Sequence, residues 1–203
     1  MSGYTISPEK ITSAQRFHGH WCPGLATGIR IAEMALREVG SSPDEEIVAV
    51  AECDNCSIDA VQFLTGCTVG KGNLRIENVG KTAFRFYRRS DGKAVRIVRK
   101  PRPPKQGDRN ETDFRDRYAS GTLTPDEQKE YARMRERQCD SIMAADLDDL
   151  LECKSCDVPM PPRALMTDSL VCERCGEEVM ETRTRNFRGR VLCLRCFEQE
   201  GGI

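Results

Sequence analysis

Phe17-His-Gly-His-Trp-Cys-Pro-Gly24 is the stretch around which the chain is organised, and it holds both histidines, His18 and His20, and the only tryptophan, Trp21. If the segment runs extended, side chains alternate with period two, and His18, His20 and Cys22 face one side. Two imidazoles and a thiol on one face suit a soft or borderline metal such as zinc. Cys22-Pro23 reads as a helix start, with proline in the first position, where its missing N–H leaves no bond unmade. A thiol there feels the positive end of the helix dipole, which favours thiolate. The structural alternative is a turn with backbone-bonded histidines and a buried cysteine. The clustering of three ligating side chains favours a site.

Before this stretch, Ser7-Pro8-Glu9-Lys10 carries a cap and a proline start, which predicts a short helix to Arg16. After it, Leu25, Ile29, Ala32, Leu36 and Val39 mark one face of a helix ended by Gly40. Glu46 to Glu52 is apolar and β-branched, a buried strand that delivers Glu52, Cys53 and Cys56 to its carboxyl end. Asn55 or Ser57 can cap the next helix, with Ile58, Val61 and Leu64 on one face before Gly66 stops it. Strands are predicted over 74–78, 83–89 and 94–99, with Asp91-Gly92 turning a hairpin between the last two. Helices, a strand, a helix and then a run of strands make an α+β domain, helices packed on a mostly antiparallel sheet.

The proline-rich connector Lys100–Asn110 marks the expected end of that sheet. Thr124-Pro-Asp-Glu127 opens a highly charged helix to about Cys139. Its thin stripe of Tyr131, Met134 and Cys139 suits a helix bridging domains or subunits more than one filling a core. Residues 142–151 read as helical too. Three domains are expected: an α+β core over 1–105, a charged helical connector over 106–158 and a zinc finger over 159–203.

The 31 basic and 32 acidic residues nearly cancel, so net charge does not point to nucleic acid. No apolar run approaches the ~20 residues that span a bilayer, which argues against a membrane partner. The first residues lack the basic start and apolar core of a signal peptide. Six of the 11 cysteines fall in Cys-x-x-Cys pairs, a pattern of metal binding in a reducing compartment, so a cytoplasmic protein is expected.

The pairs are Cys153/Cys156, Cys172/Cys175 and Cys193/Cys196, and one tetrahedral zinc needs only two of them. Gaps of 15 and 17 residues both suit zinc. The last two pairs are the better choice. Gly176 permits a tight knuckle after Cys172 and Cys175, residues 179–185 and 190–192 can form a hairpin, and Cys193 and Cys196 open a terminal helix. Knuckle, hairpin and helix are the layout of a treble-clef finger. Four thiolates close the coordination sphere, so this zinc is expected to be structural. Cys153 and Cys156 are left as spare thiols, a weaker second site or a redox pair.

With these residues laid out, the chain resembles the E-subunit family of formylmethanofuran dehydrogenase. The likeness runs from Phe17–Gly24 and Gly28-Ile-Arg30, through Cys56-Ser-Ile-Asp59-Ala-Val-Gln62 and Thr65-Gly-Cys-Thr-Val-Gly-Lys-Gly-Asn73, to Gly80-Lys-Thr-Ala-Phe84. It covers roughly residues 10 to 100. The C-terminal finger is similar to one that some members carry. The resemblance implies an α+β core and an intertwined homodimer. The family takes its name from a tungsten or molybdenum complex whose redox chemistry is assigned to other subunits, so activity is not implied.

Gly66-Cys-Thr-Val-Gly70-Lys71-Gly72 is one residue short of a P-loop and has Gly72 where Ser or Thr would bind magnesium, which excludes nucleotide hydrolysis. It is either a helix-ending turn or a pocket wall presenting Lys71 to an anion.

Two functions follow from these readings. In the first, a core pocket holds a second metal, of uncertain identity, and a small-molecule ligand. His20 and Cys22 are the ligands, with His18 as ligand or support and Cys56 as the favoured further thiolate. Cys56 and Cys67 sit at opposite ends of a helix, about 16 Å apart at 1.5 Å per residue, so both cannot serve one ion and Cys67 is the alternative. Were the pocket catalytic, His20, Cys22, Asp59 and Lys71 would be the candidates, with Asp59 or Glu52 handling protons. In the second, the protein is an accessory subunit or adaptor that binds protein or nucleic acid through the finger. A basic run (Arg85, Arg88, Arg89, Lys93, Arg96, Arg99, Lys100, Arg102, Lys105) and Arg183, Arg185, Arg188 and Arg190 would support it, unless they are solvated faces.

Overall fold

The computed structural model describes residues 5–41, 44–101 and 108–201, and divides the chain into two units, Met1–Arg163 and Ala164–Ile203. In the first unit, Ser7 caps α1 (Pro8–His18), accepting from the Lys10 amide, and Gly19 ends it in the left-handed conformation at φ 92°. Cys22 caps α2 (Pro23–Val39), a helix packed against α1, two later helices and the sheet. Its buried positions 25–36 leave almost no polar face, because α1, the sheet and later helices surround it.

β1 (Ile47–Ala51) is buried throughout and sits inside the sheet, parallel to β2 (Leu74–Ile76) and antiparallel to β3 (Ala83–Arg88). β3 and β4 (Ala94–Arg99) form the expected hairpin, with Gly92 at φ 73° in its turn. Between β1 and β2 lies α3 (Ser57–Thr65). Neither expected cap is used: Cys56 holds the cap position without a side-chain bond, Asn55 just before it accepts from the Ser57 amide at 3.0 Å, and Gly66 closes the helix at φ 73°.

The expectation that the sheet ends at Lys100 is corrected. β5 (Leu151–Ser155) pairs antiparallel with β4, Ile97 opposite Cys153, and gives the five-stranded order β2-β1-β3-β4-β5. Residues of the supposed connector thus complete the core sheet. The helix predicted over 142–151 is also divided: α5 (Pro125–Ala144) runs beyond Cys139, and a single turn, α6 (Leu147–Leu150), leads straight into β5. A reciprocal capping box between Thr124 and Glu127 starts α5. α5 does not merely bridge. Cys139 and Ile142 are buried against Ala26 of α2, and Tyr131 stacks on Phe114 and Tyr118 of α4 (Asp108–Ala119). Residues 102–107 of the predicted connector lie outside the described residues.

The basic run is largely consumed internally, which corrects the view of it as a docking patch. Arg96 holds Glu52 by two bonds of 2.7 Å, Arg85 bonds Glu77, Arg88 bonds Asp91, and Lys93 bonds Glu38. Arg89 bonds the Glu45 carbonyl and Lys100 the Asp148 carbonyl; Arg102 and Lys105 fall outside the described residues. Glu52 is therefore a structural anion rather than a proton carrier. The Arg96 fork holds its carboxyl below the usual range. Because the folded pKa is depressed, this pairing stabilises above the unfolded value near 4.5 and is lost as pH falls through the folded one. Glu52→Gln is expected to cost about 2 kcal/mol near neutrality and to flatten the acid limb of a stability-versus-pH curve; an unchanged limb would refute this.

The second unit contains the hairpin β6 (Ser169–Val171) and β7 (Glu178–Met180), a 3-10 turn at Glu181–Arg183, the hairpin β8 (Thr184–Phe187) and β9 (Arg190–Cys193), and α7 (Leu194–Gln199). Among the described residues no helix is long and apolar enough to cross a membrane.

Candidate metal centre

The histidine stretch is not extended, which corrects the basis of the expected clustering. His18 is the last residue of α1, and Gly19 at φ 92° turns the chain so that Cys22 can cap α2. The three side chains still converge. One ligand atom from each of His18, His20 and Cys22 lies within 4.8 Å of the others. His18 Nε2 is 3.6 Å from Cys22 Sγ, while its Nδ1 is 2.7 Å from Asp59 Oδ2 on α3. The carboxylate orients the ring and favours a proton on Nδ1, leaving the Nε2 lone pair for a metal. His20 stacks beside His18, ring centroids 4.4 Å apart. Desolvation, then electrostatic influence from His18 and Arg135, lowers its pKa and favours the neutral, ligating imidazole.

Cys22 is buried and accepts from the Leu25 amide at 3.3 Å, the expected helix-start contact. Cys56 reaches it because two glycines let α2 and α3 touch. A Cβ on Gly24 would stand 2.9 Å from Cys56 Cβ, and one on Gly28 would stand 2.5 Å from the Ser57 carbonyl oxygen. Burial, then the neighbouring Cys22, raises the Cys56 pKa. A cation bound between the two thiols would reverse that preference.

Cys67 and Lys71 are not brought to this cluster. Cys67 is wholly buried past the far end of α3, its thiol directed to the Ile47 carbonyl at 3.5 Å, with Lys71 acting on it electrostatically. Two residues of α5 that were not expected here act on it electrostatically. Cys139 is buried with its pKa pushed up to about 11 by desolvation and then by Cys22, and the field of Arg135 acts on Cys22, Cys139 and His20. Tyr131, Arg135 and Cys139 recur every four residues on one helical face, which is the signal that could have found them.

Cys153 and Cys156 point to opposite sides of the sheet. Cys153 packs with Ile97 in the main core, whereas Cys156 lies 3.9 Å from the Tyr87 hydroxyl on the other face. An odd offset along a strand has that consequence, so the two do not share an ion in this arrangement.

In the second unit the sulfurs of Cys172, Cys175, Cys193 and Cys196 all lie within 4.8 Å of one another. Gly176 at φ 74° shapes the knuckle, the Cys193 amide donates to Cys172 at 3.3 Å, and the Cys196 amide donates to Cys193 at 3.4 Å. Backbone N–H groups of Cys175 and then Cys193 pull the Cys172 thiol down to about 6. Such amide-to-sulfur bonds stabilise thiolates.

Residues 17–152 match the family described as FmdE, molybdenum formylmethanofuran dehydrogenase operon. The chain belongs to the FmdE family. The matched segment contains His18, His20, Cys22, Cys56 and Asp59, and extends through α5 to β5. Residues 168–200 match the prokaryotic dksA/traR C4-type zinc finger, so the four-cysteine cluster is that of a zinc finger. A protein of Archaeoglobus fulgidus called "Probable S-adenosyl-L-methionine-binding protein" is 31% identical over 201 residues, covering 90% of this chain. The chain spans about half (51%) the length of that curated relative. The FmdE-type fold is also seen in the crystal structure of a tungsten formylmethanofuran dehydrogenase FmdE-like protein from Syntrophus aciditrophicus. It has a TM-score of 0.59 and 23% identity, and the match covers 99% of this chain and 98% of that one.

Proposed function

We propose that this FmdE-family chain binds two metals: a structural zinc in a treble-clef finger, and a second ion at His18, His20 and Cys22, with Cys56 beside it, whose open fourth position serves a small ligand. The observation that carries the core site is the 3.6 Å between Cys22 Sγ and His18 Nε2. Metal–nitrogen and metal–sulfur bonds of about 2.05 and 2.3 Å, opened to a tetrahedral angle, put the two donors about 3.5 Å apart. The Asp59–His18 bond is the support that a metal-ligating histidine ordinarily has. Bound there, the ion would supply Lewis acidity, while Asp59 fixes the His18 tautomer and the α2 amide of Leu25 keeps Cys22 in place. The relative's name makes S-adenosyl-L-methionine a first ligand to titrate.

Metal analysis of the full chain tests the site. About two ions per chain are expected, falling to one in Cys22→Ala with the finger intact. A wild-type value of one, or an unchanged value in the variant, refutes the core site.

An adaptor role through the finger is the second reading, favoured by the exposure of Arg183, Arg185 and Arg188. Arg190 is less available, because it pairs with Glu200. The homodimer is proposed on the family resemblance alone.

A further inference from the structure

Arg135 belongs to two places at once. Its charge acts on Cys22 and His20 of the core cluster. It also lines a cavity of about 220 Å³ over the start of α2, together with Pro23, Gly24, Arg115, Tyr131 and Gln138. No acidic side chain is among the described residues lining that space. The guanidinium is half-buried, donates to the Tyr131 hydroxyl at 3.4 Å and lies 5.6 Å from the Tyr131 ring centre. Arg115, on α4, pairs among the described residues with its exposed neighbour Asp116 at 3.3 Å, a weak surface contact that a bound anion would readily replace. The stacking of Phe114 and Tyr118 on Tyr131 fixes α4 against α5 and so sets Arg115 across from Arg135. The positive end of α2 adds to the field, although the Leu25 amide is already committed to Cys22.

We infer that this cavity is the oxyanion subsite of the core centre, where Arg135 from within and Arg115 from the mouth grip a carboxylate or phosphate of the small ligand. The inference rests on the metal-and-ligand reading of the cluster. Pro23 and Gly24 directly follow Cys22, so a group held here sits at the start of the helix that the core thiol caps. Size limits what enters. Pockets that enclose a whole drug-sized ligand run to ~300–1,000 Å³, so this one takes a single charged group. Two guanidiniums also suit such groups geometrically, since each offers a planar fork of donors.

The test is calorimetric titration of inorganic phosphate and, separately, acetate into the full metal-loaded chain at low salt. Saturable binding of at least one is expected, and the better of the two shows whether a tetrahedral or planar anion fits. Arg135→Gln should weaken it about tenfold, the size of one lost charge-assisted hydrogen bond, and Arg135→Lys should recover part. Because Arg135 also packs on Tyr131, Arg115→Gln at an exposed side chain is the second variant, with binding several-fold weaker and the melting temperature unchanged. No saturable binding by the wild type, or binding by both glutamine variants as tight as the wild type's, overturns the subsite. Metal content measured on the same samples separates the two failures. Anion binding through Arg135 in a chain without core metal sinks only the metal reading, and core metal with indifferent arginines sinks only the subsite.

Discussion

Gly28→Ala is expected to destabilise the Met1–Arg163 unit by about 3 kcal/mol or more, at or above the top of the range for inserting one methyl into a packed interior. The added Cβ would lie 2.5 Å from the Ser57 carbonyl oxygen, 2.6 Å from Ser57 Cα and 2.9 Å from Ala60 Cβ. Two of these are backbone atoms of α3, which no rotamer change can move. α2 and α3 must separate, and α2 is packed against α1, two later helices and the sheet. Separation also draws Cys56 away from Cys22, so any core metal should be lost with the stability. Gly24→Ala is the graded control, since its Cβ meets the Cys56 side chain at 2.9 Å and no backbone atom closer than 3.8 Å. Denaturant unfolding of both variants measures this; a Gly28→Ala midpoint within error of wild type would show that the two helices are not in such close contact.

Cys193→Ser should remove one metal ion per chain and unfold the Ala164–Ile203 unit while sparing the first. Among the described residues its buried apolar core is Cys172, Leu192 and Cys196, with Val179, Phe187, Cys193 and Phe197 partly buried around them. So small a cluster cannot offset the conformational entropy of the chain. In short finger peptides zinc supplies about 10–16 kcal/mol near neutral pH, and folding depends on it. Cys193 also caps α7, so its loss frees the helix as well as the ion. Limited proteolysis should then cut within residues 164–203 and leave the rest resistant. Retained metal with a protected C-terminal unit would contradict the assignment of the four ligands.

Local chemistry was legible in the residues themselves. Ser7-Pro8, Cys22-Pro23 and Thr124-Pro125 start α1, α2 and α5, while Gly40 and Gly66 end α2 and α3. These signals act within four residues of the backbone groups they satisfy, so no tertiary knowledge is needed to read them. The same holds for Cys172 to Cys196, because the spacing of a four-thiolate site is nearly all it requires.

The His/Cys cluster in the first unit depended on longer reach. Glycine at 24 and 28 reads only as a break in a helical pattern until α3 is found against it. Likewise, Asp59 becomes the partner of His18 only when α3 meets the end of α1. β5 was hidden for the same reason. Leu151-Glu-Cys-Lys-Ser155 has no clean alternation of its own and is a strand because β4 offers it an edge. The basic residues in and between β3 and β4 looked like a surface charge run, and Glu52, Glu77, Glu38 and Asp91 turned most of them inward or into pairs. Helix ends, strand cores and the four finger cysteines could be read from the chain alone, because neighbours along it settle each of them. Which thiols and imidazoles lie close together could not, because side-chain proximity between helices is set by how closely their backbones can approach.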